Sequence, residues 1–100
     1  GDVAAGEKTL AKYRGSAAGS AEYAGFHGHL LLRLGRGREA VEAYQQAVRL
    51  GAADGRWWFG LGQSLEAEGR AAEGREAFRR ALATNNLNAD LAALAEQKIR

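Results

Sequence analysis

Shifted by 34 residues, the sequence falls on itself. Gly28 meets Gly62, Leu31 meets Leu65, and Gly35-Arg36 meets Gly69-Arg70. Glu39 then lands on Glu73, Glu42-Ala43 on Glu76-Ala77, Tyr44 on Phe78, and Ala47 on Ala81. The same shift carries Tyr23 to Trp57 to Leu91 and Leu31 to Leu65 to Ile99; backwards, it puts Leu10 under Tyr44. A period of this length means that each unit is one supersecondary element, which buries its apolar face only by stacking on its neighbours. The 100 residues therefore read as one domain: a half repeat over 1–20, full repeats over 21–54 and 55–88, and a C-terminal capping helix over 89–100.

Within each repeat the apolar spacing is helical. Trp58, Leu61 and Leu65 run i, i+3, i+7, and Ala77, Phe78, Ala81 and Leu82 run i, i+1, i+4, i+5. The breaks carry turn chemistry: Gly35-Arg36-Gly37, Gly51 to Asp54, Gly69-Arg70, and Thr84 to Asn88. Ser20, Asp54 and Asn88 stand where a side-chain oxygen accepts from the first free N–H groups of the next helix. Six helices are predicted, at about 2–14, 21–34, 38–50, 55–68, 71–83 and 89–100. No stretch alternates with period two, so no sheet is expected. The pairs Arg38–Glu42 and Glu76–Arg80 mark a solvated outer face on the second helix of each repeat.

Trp58-x2-Leu61-Gly62-x2-Leu65, followed by Gly74-x3-Phe78 and Ala81, resembles the tetratricopeptide repeat pattern. Ala24-x2-His27-Gly28-x2-Leu31, with Ala40-x3-Tyr44 and Ala47, is a second copy. The copies depart from that pattern at Ala24, where a large residue usually opens the repeat, and at Ala52 and Asn86, where proline usually stands. The resemblance covers the whole chain and implies an all-α, right-handed solenoid of antiparallel helix hairpins. It also implies a non-enzymatic scaffold whose first helices line a concave groove for a peptide or protein segment. Carried over by the shift, the groove positions are Glu22, Arg56 and Asp90; Gly25, Phe59 and Ala93; His29, Gln63 and Gln97; and Leu32, Glu66 and Arg100. The candidate partner-binding residues are Arg56, Phe59, Gln63, Glu66, His29 and Arg33. The lining lacks the lysine and asparagine set with which some chaperone-binding members grip a C-terminal carboxylate, so a mixed groove anchored by one apolar side chain on Phe59 is expected.

Residues 54–67, with the ending 91–100, are similar to the C-terminal repeat region of MSHA-type pilus biogenesis proteins of proteobacteria. That likeness implies a bacterial pilus or secretion assembly factor at the periplasmic face of the inner membrane; without it, the cytoplasm is the expected compartment. Arg outnumbers Lys eleven to three, a bias associated with GC-rich bacterial coding. The chain opens on Gly1 rather than Met and on half a repeat, so it is read as a piece of a longer protein.

The stretch Gly55-Arg-Trp-Trp-Phe-Gly-Leu-Gly62 holds three of the eight aromatics. Helical geometry separates neighbours by about 100°. Trp58 is expected to face Phe78 of its own hairpin, Trp57 to face Tyr44 and Val48 of the preceding one, and Phe59 to lie exposed with Arg56, Gln63 and Glu66. Glycine inside a helix costs about 1 kcal/mol against alanine, so Gly28 and Gly62 call for a compensating contact. Backbone-to-backbone approach of paired helices is the expectation there, and Gly60 is expected to admit a neighbouring helix.

Other chemistry is set aside. With no cysteine, disulfides, thiolate zinc sites and cysteine nucleophiles are excluded. Gly6-Glu-Lys8-Thr9 approximates a phosphate loop, but no strand delivers it. His27 and His29 point about 200° apart on one helix and cannot share a metal. No metal, no cofactor and no catalytic site are expected. The net charge of +2 comes from scattered rather than clustered basic residues, so nucleic acid is disfavoured. The alternative of a different class is a nucleic-acid binder using Phe59 with Arg56 and Arg33; an accessory domain of a larger enzyme and a weak homodimer through the open half repeat are the others.

Overall fold

The computed structural model of the protein describes residues 20–100. These form five helices: α1 (Ala21–Arg33), α2 (Gly37–Leu50), α3 (Gly55–Ala67), α4 (Ala71–Ala83) and α5 (Ala89–Lys98). No strand occurs among the described residues. The helix expected at 2–14, and with it the half repeat over 1–20, lies outside them. The other five expected helices agree with the observed ones to within a residue or two at each end.

The helix ends follow local chemistry. Ser20 Oγ accepts from the Tyr23 N–H at 3.1 Å, Asp54 Oδ1 from the Arg56 N–H at 3.0 Å, and Asn88 Oδ1 from the Leu91 N–H at 2.9 Å. These bonds satisfy donors that a helix start otherwise leaves orphaned. α1 and α3 both end on a glycine with φ +76°, Gly35 and Gly69. The Arg36 N–H then reaches the Leu31 carbonyl and the Arg70 N–H the Leu65 carbonyl, both at 2.9 Å. That pattern is the Schellman stop, and it turns the chain back into α2 and α4. α4 ends differently, on Asn85 with φ 59°, a conformation that asparagine tolerates better than most side chains.

α1 packs antiparallel to α2 and α3 to α4; α3 also packs on α2 and α1, and α5 packs on α4. Tyr44 explains the first seam. Its ring lies between two glycines, so that a Cβ on Gly28 of α1 would come within 2.8 Å of it and one on Gly60 of α3 within 2.2 Å. Trp57 occupies a similar slot, 2.2 Å from the place of a Cβ on Gly25, and meets Phe26 edge-on at 5.9 Å. Phe78 lies against Gly62 in the second hairpin as Tyr44 lies against Gly28 in the first. The interior glycines therefore admit aromatic rings. The expected backbone-to-backbone approach is corrected at Gly28, where the Tyr44 ring fills the space, but it is met at Gly62, whose carbonyl oxygen lies 3.1 Å from the place of a Cβ on Gly74 of the paired helix.

The three aromatics of α3 divide as follows. Trp57 is buried with Tyr44 and Val48, as the spacing predicts. Trp58 is only half-buried, on the edge of both apolar clusters; its indole N–H donates to the Ala52 carbonyl at 2.7 Å and Arg80 covers its face. The ring stacked edge-on against Phe78 belongs to Phe59, with centroids 5.3 Å apart. The ion pairs on the outer helices include Arg36–Glu39 and Arg70–Glu73, one period apart, and the expected Glu76–Arg80.

The two loops between hairpins are tied to each other by a residue to which the spacing gives no role. Asn86 Oδ1 accepts from the Gly55 N–H at 2.8 Å, and its amide donates to the Ala53 carbonyl at 2.6 Å. Asn86 thus covers a donor at the start of α3 and locks the 84–88 loop onto the 51–54 loop.

Candidate interaction groove

The second seam is built from different residues at the same repeat positions. Moving one period on replaces Gly25 by Phe59, Trp57 by Leu91 and Gly60 by Leu94. Where glycines drew α1 and α3 together, large side chains now stand on both sides. α5 rests on α4 and meets α3 chiefly through side chains, as in the apolar cluster of Phe59, Phe78 and Ala95 with Leu91 and Ile99 packed against it. A groove of about 360 Å³ remains between α3 and α5. Phe59 and Phe78 form its floor, Leu94 and Ala67 its walls, and Gln63, Glu66 and Lys98 its polar rim.

Lys98 Nζ and Glu66 Oε1 pair across the rim at 3.0 Å, with both side chains more than a third exposed. Such a pair contributes at most about 1 kcal/mol, so an incoming polar group exchanges with it at little cost. Gln63 supplies both a donor and an acceptor beside the apolar floor. Leu94 is 38 % exposed and leaves an apolar wall facing solvent. The geometry suits one apolar side chain below and backbone or polar contacts above.

The residues singled out from the sequence fall into three groups. Gln63 and Glu66 come together on the groove rim with Phe59 beneath them. Phe59, however, is 5 % exposed and forms the floor, which corrects the expectation of an exposed aromatic. The Phe78 ring and the α5 cluster cover it. Arg56 lies at the N-terminus of α3, away from the groove. Its guanidinium pairs with Asp54 at 2.6 Å and stacks 4.5 Å from the Trp57 ring centroid. The hydrogen bond from Arg56 holds the Asp54 carboxyl below its ordinary range against the opposing effect of partial burial. His29 and Arg33 are exposed on α1 and do not line the groove. Leu94, Lys98 and Phe78 line it without having been picked from the sequence. The available signal was the substitution of Leu94 for Gly60 across one period.

The nucleic-acid alternative calls for a base stacked on an open Phe59 face, whereas only 5 % of Phe59 is exposed, at the bottom of the groove, and Arg56 is engaged by Asp54 and Trp57. Among the described residues there is no group of three or more His, Cys, Asp and Glu that could hold a metal ion. No described helix is long and apolar enough to cross a membrane.

No curated protein matches the sequence. The family profile described as Tetratricopeptide repeat matches residues 27–89, from the middle of α1 to the start of α5. Repeats of that family generally mediate protein–protein contacts and are typically non-catalytic scaffolds. The match spans well over half of the sequence and covers the helix pairs whose period and ring-on-glycine packing are described above, so the chain belongs to the tetratricopeptide repeat family.

Proposed function

We propose that the protein is a scaffold that holds a peptide or protein segment in the groove between α3 and α5. One apolar side chain of that segment sits on Phe59 and Phe78 against Leu94, while Gln63, Glu66 and Lys98 contact its backbone or polar neighbours. The observation that carries this reading is the asymmetry of the two seams. The first is closed by Tyr44 between two glycines, whereas the second, with Leu94 in place of Gly60, keeps an apolar-floored groove of about 360 Å³. The likeness of residues 54–67 and 91–100 to MSHA-type pilus biogenesis proteins supports bacterial pilus or secretion assembly as the setting, at the periplasmic face of the inner membrane.

Site-specific photo-crosslinking in the native host tests the proposal. A photoreactive residue at Gln63 captures a discrete protein partner, one at the exposed Arg75 on α4 does not, and Leu94→Trp, which fills the groove, abolishes the adduct. Equal capture from both positions, or capture indifferent to Leu94→Trp, refutes it.

A further inference from the structure

The Tyr44 ring leaves α2 and runs between α1 and α3. One edge lies against Gly28, and the hydroxyl end passes Gly60, with Oη 2.7 Å from the place of a Cβ there. The side chain is 4 % exposed, yet its hydroxyl makes no hydrogen bond to any described residue. No sealed side-chain oxygen or nitrogen among the described residues lacks a partner, so this hydroxyl reaches solvent through a narrow opening. Packing does not require it: one period on, Phe78 lies against Gly62 without one. Helical geometry, at about 100° per residue, fixes where the opening faces. The buried Trp57, Leu61 and Ser64 lie to one side of Gly60, and Gln63 of the groove rim lies to the other, followed by Phe59 and Glu66.

We propose, resting on the groove reading above, that the segment held on Phe59 crosses α3 over Gln63 and sets one of its backbone carbonyls on the Tyr44 hydroxyl. Gly60 and Phe59 point about 100° apart on α3, an arc of about 9 Å that about three extended residues span. The carbonyl in question therefore lies about three residues from the apolar anchor. Burial pushes the Tyr44 phenol up to about 12, so it keeps its proton throughout the neutral range and can donate. A neutral donor in a narrow opening suits an uncharged carbonyl better than a carboxylate, whose removal from water costs far more. Gln63, on the path between the two anchors, offers the crossing backbone both a donor and an acceptor. The segment is thus gripped at two points, by an apolar side chain on one flank of α3 and by its main chain on the other.

The probe is a peptide selected from a random library against the full chain, with versions shortened residue by residue from either end towards its apolar residue. Binding to the parent, to Tyr44→Phe and to Leu94→Trp is measured by titration calorimetry. Leu94→Trp abolishes binding, and Tyr44→Phe weakens it about 3–10-fold, the range of one hydrogen bond. Once shortening from one end removes the carbonyl that meets Tyr44, the parent and Tyr44→Phe bind alike. Alanine in the peptide at that position leaves the affinity as it was, because the contact is to the main chain. A Tyr44→Phe protein that binds the whole peptide as the parent does, while Leu94→Trp still abolishes binding, overturns this inference and leaves the groove standing. Equal weakening of long and short peptides, which marks a general effect on packing, also overturns it, as does a loss on alanine replacement, which assigns the acceptor to a side chain. Binding indifferent to Leu94→Trp overturns the groove reading itself, and this inference with it.

Discussion

Replacing Gly60 by alanine sets two effects of known sign against each other. Helix propensity alone favours alanine by about 1 kcal/mol. The structure opposes it, because the new Cβ would lie 2.2 Å from Tyr44 Cε1, 2.3 Å from Cζ and 2.7 Å from Oη. Carbon atoms in contact stand about 3.5–4.0 Å apart, so the ring must retreat by more than about 1 Å. It has nowhere to go, since Gly28 stands behind it and the side chain is 4 % exposed. Overpacking costs about 1–3 kcal/mol, and a ring pinned from both sides belongs at the upper end. After the propensity gain is subtracted, Gly60→Ala is expected to destabilise by about 2 kcal/mol, which lowers Tm by roughly 8–16 °C in a domain of this size. The measurement is thermal and urea unfolding followed by circular dichroism. Gly62→Ala serves as the control: its Cβ would stand 2.9 Å from the Phe78 ring, so the two effects come closer to cancelling and the shift stays within about 1 kcal/mol. A Gly60→Ala protein as stable as the parent, or more so, would refute the ring-in-slot account.

Three further perturbations follow from the same packing. Burial pushes the Tyr44 phenol from 10.0 up to about 12; the unfolded chain then releases this proton first, and stability present below pH 10 falls by about 2–3 kcal/mol as the pH rises towards 12. Tyr44→Phe removes that part of the alkaline loss in urea titrations run at successive pH values. Trp57→Ala costs about 3–5 kcal/mol by chemical denaturation, whereas the half-buried Trp58→Ala costs about half as much; the reverse order would mean the two indoles had been assigned to the wrong seams. Asn86→Ala leaves the Gly55 N–H and the Ala53 carbonyl without their partner, lowers stability by about 1–2 kcal/mol and speeds amide exchange at Gly55, while unchanged exchange would remove the loop-to-loop tie.

The period carried most of the architecture. Ser20, Asp54 and Asn88 cap the helices they were expected to cap, and Gly35 and Gly69 stop the helices before them, because capping and left-handed turns depend on a few adjacent residues. What the spacing misjudged depends on a third element. Phe59 shares a helical face with Gln63 and Glu66, as the 3.6-residue turn requires, but the approach of α5 converts its part of that face into floor and leaves only the other two at the rim. Gly62 does meet the backbone of the paired helix, at Gly74, but at Gly28 and Gly60 the close approach is that of the Tyr44 ring, since spacing along one helix does not reveal how far a ring reaches from another. Leu94 escaped notice for a related reason. It is an ordinary leucine within α5, and it matters only because its predecessor by one period is a glycine against which a ring is packed.

The claim that a protein segment enters the α3–α5 groove is tested most directly by its footprint. Peptides selected from a random library against the full chain are titrated into isotope-labelled protein and followed by amide and side-chain shifts. The account predicts that selected peptides share one apolar residue, that shifts centre on Gln63, Glu66, Leu94 and Lys98, and that Leu94→Trp eliminates them. Shifts centred on the outer helices, around Arg75 and Arg79, and insensitive to Leu94→Trp would contradict it.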